Sequence, residues 1–564
     1  MKRDSTFSNL SLFVLLSALL AGCASSSPPP PDSGETEWAA APLVRAEKGI
    51  VSSAHPLATE AGLQVLKEGG NAFDAAVAIA AALNVVEPMM SGIGGYGTIL
   101  VYDAETDRIR FLNSSGRIPR AVDSDVFRAP TPGYEENRRG PKAVSTPCNV
   151  RAWEGMWKEY GRIEWHKLFQ PAVRLAEEGF AISARTAFFI DLAYDDFPPH
   201  AQQFYGRQGS PLKEGQELIQ RDLAATLSNI ARNGADAFHG GETAQAIDAA
   251  MRQSGGFLSR QDLAECQAEW WQPIHIEYRG HSVYTASPPS TAFPSLIRLG
   301  IMSRFQPAAP GSAQQLHRFA EATKMAFHDR LAHAGDPEIS PPPLERLLSS
   351  DYWQQRADQI DPEKARPFAP PGPPGQSRDN TTHFVVADGE GNIVSATQTL
   401  GNLFGSRIMP EGTGVWLNNS LAYCTFEPKG NPMDAHAGHH KLSGDCPTII
   451  LRDGRPWAAL GTPGGHTIGQ TVPQMVMNLI DYRMDMAEAI SAPRLSFIEP
   501  QFIAIEAGFG QDVLDTLQGY GHQLRPDARL GNAHGLTITY DEQGRPDGFT
   551  AASDPRGSGL AKGY

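Results

Sequence analysis

Residues 367–375 are mainly proline and glycine, and they end in Gln376-Ser377-Arg378-Asp379-Asn380. Such a stretch neither continues a helix nor joins a central strand, because proline fixes its own φ and lacks an amide donor. It marks a linker or a chain end in waiting, and the pattern differs on its two sides. Before it the sequence is mostly helical, clearest over residues 151–160, 165–178 and 314–332. After it the sequence is β-rich: a strand over 383–386, a turn at Asp388-Gly389-Glu390-Gly391-Asn392, and a strand over 393–397. A hairpin symmetric about Glu390 pairs Val386 with Val394, Phe384 with Ala396 and Thr381 with Thr399. A bulge would move that register by one residue.

Near the other end, residues 54–84 predict two helices broken at Gly69-Gly70, with Asn71 as N-cap and Asp74, three residues on, partly imitating a capping box. The second is Ala-rich and apolar nearly all round over 75–85, which predicts deep burial. Ser91-Gly92-Ile93-Gly94-Gly95-Tyr96-Gly97 follows and contains the spacing G-x-G-x-x-G. A dinucleotide loop leaves a strand and opens a helix, whereas this one leaves a helix and opens a strand at 98–102, so nicotinamide and flavin are not expected.

Lys and Arg number 48 against 63 Asp and Glu, a net charge of −15, which excludes a broad basic face for nucleic acid. Lys2 and Arg3 precede a short apolar run over 10–21 that reads as an export signal. It ends in Leu20-Ala21-Gly22-Cys23, which resembles a lipobox with Cys23 the lipidated residue. Ser25 to Ser27 and Pro28 to Pro31 then form a flexible tether. The expected organisation at this end is a signal peptide over 1–22 and a tether over 23–47. The expected location is the periplasmic side of a bacterial outer membrane. In that oxidising compartment Cys148, Cys266, Cys424 and Cys446 leave one disulfide open, with Cys424 and Cys446 nearest in sequence.

A colinear set of motifs carries a resemblance. It comprises Ser53-Ala54-His55-Pro56, Gly69 to Ala76, Ser91 to Gly95, Thr381-Thr382-His383-Phe384, Pro447-Thr448, Gly461-Thr462-Pro463-Gly464-Gly465, and Ala552-Ser553-Asp554-Pro555-Arg556. In order and spacing these resemble the γ-glutamyltranspeptidases, N-terminal nucleophile hydrolases made as a precursor that cuts itself. The resemblance implies an α+β fold, a four-layer αββα sandwich, with no cofactor. It implies cleavage between Asn380 and Thr381 into a large subunit over 48–380 and a small subunit over 381–564, Thr381 as nucleophile, Thr399 as the hydroxyl that orients it, and Gly464 and Gly465 as the oxyanion hole. A free α-amine, with a typical pKa of about 7.7 to 8.0, would then supply a base on the nucleophile's own residue.

The pocket departs from the family. The family's carboxylate-binding Arg falls at Ser115, with Arg117 two residues on, and its asparagine after the second threonine's leucine falls at Gly401, beside Asn402. Its Asp for the α-amino group falls near Tyr423, and its Ser-Ser pair becomes Ser443-Gly444. The implied activity is hydrolysis or transfer of γ-glutamyl amides of the glutathione type. Two alternatives stand beside it: a related acylase acting on glutaryl or cephalosporin amides, and a lipid-anchored binding protein without turnover. The expected partners are a small acyl amide, the two subunits of one precursor, and a membrane through the anchor. His436, His439 and His440 fall in what reads as a solvated loop, without a recognisable zinc spacing, and no metal is expected.

Overall fold

The structure is a computed structural model describing residues 40–128, 134–368, 380–499, 501–527 and 529–564. The export segment, Cys23, the Pro/Ser tether and residues 369–379 lie outside the described residues.

The hairpin after the proline-glycine segment forms in the expected register. Strands Asn380–Asp388 and Ile393–Gly401 pair Val386 with Val394, Phe384 with Ala396 and Thr381 with Thr399, with an irregularity between Asn380 and Thr381. Asp388 fixes the turn: Oδ1 accepts from the Glu390 and Asn392 amides at 3.0 and 3.1 Å. Its Oδ2 accepts from the Ala72 amide at 2.9 Å, tying the turn to the start of helix Ala72–Val86.

That hairpin lies inside a seven-stranded sheet ordered Leu560–Gly563, Gly49–Ser53, Asn380–Asp388, Ile393–Gly401, Tyr96–Asp103, Arg108–Asn113, Glu269–Trp271. A second seven-stranded sheet runs Val44–Ala46, Pro546–Ser553, His534–Tyr540, Arg455–Gly461, Thr448–Arg452, His281–Thr285, Ile274–Tyr278. Both sheets contain strands from before and after the proline-glycine segment, so neither part completes a sheet alone. The fold also begins earlier than the expected boundary at residue 48. Val44–Ala46 pairs with the strand through Phe549 and Ala551, and Ala41 is buried, so the last residues assigned to the tether belong to the sheet.

The alternation of side chains along the strands sets the packing. Ile50, Leu100, Val385 and Ile393 of the first sheet share a core with Ile449, Leu536, Ile538 and Phe549 of the second. On the opposite side, Val51, Ile99, Val386 and Val394 pack with helices Pro56–Lys67, Ala72–Val86 and Trp165–Glu178. Ile276, Ile450, Ala458 and Leu460 pack with helices Phe293–Met302, Ala313–His333 and Ile468–Ile480. All of Ala72–Val86 is buried, which its alanines permit, and the Asn71/Asp74 capping box satisfies its first amides. No described helix is long and apolar enough to cross a membrane.

The disulfide joins Cys148 to Cys266, while Cys424 and Cys446 are free and buried, which corrects the pairing suggested by sequence proximity. The fold brings the start of helix Asn149–Tyr160 beside the segment leading into edge strand Glu269–Trp271, across a separation of 118 residues.

Candidate active site

Thr381 is 3% exposed, and its hydroxyl donates to Thr399 Oγ1 at 3.2 Å. The Thr399 oxygen accepts a second bond from the Gly401 amide at 2.8 Å, which holds it in place. Thr399 is also register partner of Tyr96 on its other side, so Thr381, Thr399 and Tyr96 form a row across three strands. Directly opposed residues share a sheet face. Gly95 allows this approach, since a Cβ there would lie 2.3 Å from Thr399 O. The glycine-rich loop therefore packs on the hairpin.

The next row on the same face is His383, Thr397 and Thr98. His383 Nδ1 lies 2.9 Å from Thr397 Oγ1, and complete burial pushes the imidazole well below its usual pKa, so it is neutral. The segment carrying Ser443 and Gly444 lies over this face. Thr98 Oγ1 donates to Asp445 Oδ2 at 3.2 Å and is 3.4 Å from Ser443 Oγ. Lys441 Nζ sits 3.0 Å above the centre of the Tyr96 ring. The Ser443 carbonyl accepts from the Thr291 amide and hydroxyl at 2.8 and 2.9 Å, which fixes the segment's height over the sheet.

Gly464 and Gly465 lie between strand Arg455–Gly461 and helix Ile468–Ile480, with φ of +137° and +57°. Both values favour glycine. The pair touches the segment carrying Ser443 and Gly444: a Cβ on Gly444 would lie 3.2 Å from Gly465 O and 3.4 Å from the Tyr423 ring. Tyr423 in turn meets His466 edge-on at 5.5 Å, and burial lowers His466 to about 3. Through these contacts Ser443, Gly444, Tyr423, Gly464 and Gly465 adjoin one another.

The other expected pocket residues lie differently. Ser115 is buried just past strand Arg108–Asn113, its amide on Asn113 Oδ1 at 2.9 Å. Arg117 turns outward to Glu338 and Glu269 at 3.1 and 3.2 Å, with 42% of its side chain exposed. Its charge is met there by two carboxylates. The Asn402 amide is bound by Asn419 Oδ1 at 2.8 Å. At Gly401 a Cβ would lie 2.1 Å from that same oxygen, so this loop excludes a side chain at 401.

The histidine loop is not uniformly solvated. His440 is buried, its Nε2 3.2 Å from Glu269 Oε1 and its Nδ1 3.4 Å from Asp336 Oδ2, because the Arg117 and His440 backbones form a bridge that draws the loop inward. Burial opposes its charge, but the bonds to Asp336 and Glu269 outweigh it and hold His440 at about 9. Tyr96, Thr98, Lys441 and Asp445 were not singled out from sequence. The signal for them was local: Tyr96 and Thr98 alternate on the strand after the glycine loop, and Lys441 and Asp445 flank Ser443-Gly444.

The model of the family described as gamma-glutamyltranspeptidase matches residues 58–564. The chain belongs to that family. A glutathione hydrolase proenzyme of Escherichia coli (strain K12) is 35% identical over 547 residues, covering 92% of this chain and 93% of the relative. Acylase ACY 1 proenzyme of Pseudomonas sp. (strain SE83) is 34% identical over 499 residues, with 86% and 88% covered. Among solved structures, cephalosporin acylase from Bacillus halodurans superposes with a TM-score of 0.85 at 29% identity, covering 96% of this chain and 98% of that one. As a γ-glutamyltranspeptidase family member, the chain is a hydrolase or acyltransferase of the N-terminal nucleophile type, with a mixed α and β fold.

Proposed function

We propose that the chain cuts itself between Asn380 and Thr381, and that the exposed Thr381 then hydrolyses or transfers the acyl group of γ-glutamyl or closely related amides. The observation that carries this reading is the Thr381 to Thr399 hydroxyl bond at 3.2 Å, within a hairpin whose register the turn at Asp388 fixes. In the first step Thr381 Oγ adds to the Asn380 carbonyl carbon, the peptide C–N bond breaks, and an ester forms with the Thr381 nitrogen as the new amine. Water hydrolyses that ester, which leaves a carboxylate on Asn380 and frees the Thr381 hydroxyl beside its amine. In turnover the amine takes the hydroxyl proton as Oγ attacks the substrate carbonyl, and the departing amine receives it. Thr399 orients Oγ, while the backbone amides of Gly464 and Gly465 donate to the developing oxyanion.

The cores on either side of both sheets support a four-layer αββα arrangement, and their shared strands support one folded unit after cleavage. Acylases among the relatives, together with Ser115 and Tyr423 in the pocket, support the glutaryl or cephalosporin alternative for the acyl group. The lipobox at Cys23 supports an exported, membrane-anchored precursor.

Gel electrophoresis and N-terminal sequencing test the reading. Two chains are expected, the smaller beginning Thr-Thr-His, with turnover of γ-glutamyl or glutaryl anilides; a fully active single chain would overturn it. For the anchor, Cys23→Ala should move the protein from the membrane fraction to the soluble one.

A further inference from the structure

The acyl pocket lacks the two charges by which relatives of this family hold an amino-acid head, since positions 115 and 423 are serine and tyrosine. A different pair of charges is buried over the same sheet face. Lys441 and Asp445 are each 1% exposed and flank Ser443-Gly444. Lys441 Nζ stands over Tyr96, in one register row with Thr399 and Thr381. Asp445 is anchored by the Thr98 hydroxyl in the neighbouring row.

Position and chemistry agree. Adjacent strands are about 4.8 Å apart, so the strand under Lys441 lies about 10 Å across the sheet from that of Thr381. An extended five-carbon acyl chain spans roughly 5 Å from its first to its last carbon at about 1.5 Å per bond. The ester to Thr381 at one end and an N–H···O contact of about 2.8 Å at the other cover most of the remainder. An ammonium in such a place is costly without an anion. Burial holds Lys441 well below the usual amine range, with Asp445 drawing it back up. An incoming carboxylate would supply a second negative partner.

Resting on the threonyl-hydrolase reading above, we propose that Lys441 binds the distal carboxylate of the acyl group, making half-amides of short dicarboxylic acids the preferred donors. The carboxylate site has moved from the strand end at Ser115 to the segment over Tyr96, with Asp445 as the nearby anion whose charge favours the ammonium form of Lys441 when the site is empty.

The test uses Lys441→Met and Lys441→Arg in the full chain, with glutaryl, γ-glutamyl and butyryl p-nitroanilides. In Lys441→Met, KM for the two carboxylate-bearing anilides should rise at least about tenfold with kcat nearly constant, and the glutaryl-to-butyryl ratio of kcat/KM should fall by the same factor. Lys441→Arg should retain most of that ratio. An equal loss on all three substrates, or an unchanged glutaryl KM, would overturn the assignment. Binding separates this from the reading it rests on. Glutarate should raise the melting temperature of the wild type but not of Lys441→Met, and butyrate should raise neither. Absence of that difference overturns the role of Lys441 whether or not anilides turn over. A correctly folded wild type that turns over none of the three counts instead against the threonyl hydrolase. Should Lys441→Met fail to fold, Lys441→Arg and the glutarate-against-butyrate comparison on the wild type decide.

Discussion

Thr399 Oγ1 receives two hydrogen bonds, one from the Thr381 hydroxyl at 3.2 Å and one from the Gly401 amide at 2.8 Å. The second bond makes the first directional. With the Gly401 amide occupying one lone pair, the oxygen meets Thr381 from a fixed side. Thr399→Ala removes the acceptor and leaves both strands intact, so self-cleavage and turnover should each slow about 10- to 100-fold, as loss of one hydrogen bond to a reacting group implies. Thr399→Ser should restore most of the rate, and Thr381→Ala should show neither cleavage nor turnover. Wild-type rates in Thr399→Ala, by cleavage time course and anilide assay, would remove Thr399 from the mechanism.

The hairpin was legible because its register follows from one turn: Asp388, Gly391 and Asn392 fix where the strands reverse, and period-two alternation does the rest. The Asn71 cap and the long helix from residue 313 were legible for the same local reason. The cysteine pairing was not, because it depends on a contact between segments 118 residues apart. His440 was misjudged because its loop looks polar on its own, and its burial comes from Asp336 and Glu269, which are remote in sequence. The positive-φ turn at Gly464 and Gly465 coincides with a family motif and was readable from it, whereas Lys441 and Asp445 acquire meaning only once Tyr96 and Thr98 lie beneath them.

The Cys148–Cys266 bond closes a loop of 118 residues containing the helices from Asn149 to Ala264. A crosslink of that length restricts the unfolded chain by up to about 5 kcal/mol in the chain-entropy model. Reductant should therefore lower the melting temperature of the wild type and leave that of a Cys148→Ala/Cys266→Ala variant unchanged. A non-reducing peptide map should show these two cysteines linked and Cys424 and Cys446 alkylated after unfolding. A Cys424–Cys446 peptide would contradict the connectivity.

His440 and Glu269 give the fold a pH signature. His440 is raised from 6.5 to about 9 against its burial, by Asp336 and Glu269, with Glu338 adjacent and Arg117 opposing. Its contribution is complete below its ordinary value of 6.5 and is lost as pH climbs through about 9. Glu269 is lowered from 4.5 to about 2, first by its bond to His440, so its contribution is present above 4.5 and lost as pH falls toward 2. The pair should stabilise most between those limits, about pH 4.5 to 6.5. Melting temperatures of wild type and His440→Gln, measured from pH 5 to 10, should converge on the alkaline side. A constant difference across that range would show that His440 acts through packing alone.

The motif ending in Asp554-Pro555-Arg556 is a buried ionic network. Arg556 contacts Glu506 at 2.6 Å and Asp554 at 3.1 Å, and Arg494 reaches the other Asp554 oxygen at 2.9 Å. These side chains are at most 1% exposed. Arg556 also donates to the Ile490 and Ala492 carbonyls at 3.0 Å, so it clamps helix Met486–Ser491 to the strand ending at Ser553. Removing one member of such a network leaves a buried charge unmatched, which costs about 3 to 5 kcal/mol. Arg556→Ala should lose that much in urea unfolding. Arg556→Lys should recover only part of it, because a single ammonium does not reproduce the planar fork that spans Glu506, Asp554 and the carbonyls. The Thr381–Thr399 pair lies on the other sheet, so whatever precursor remains folded in Arg556→Lys should still cut at Thr381. Full stability in Arg556→Ala would show that solvent or Arg494 satisfies Glu506 and Asp554 without it.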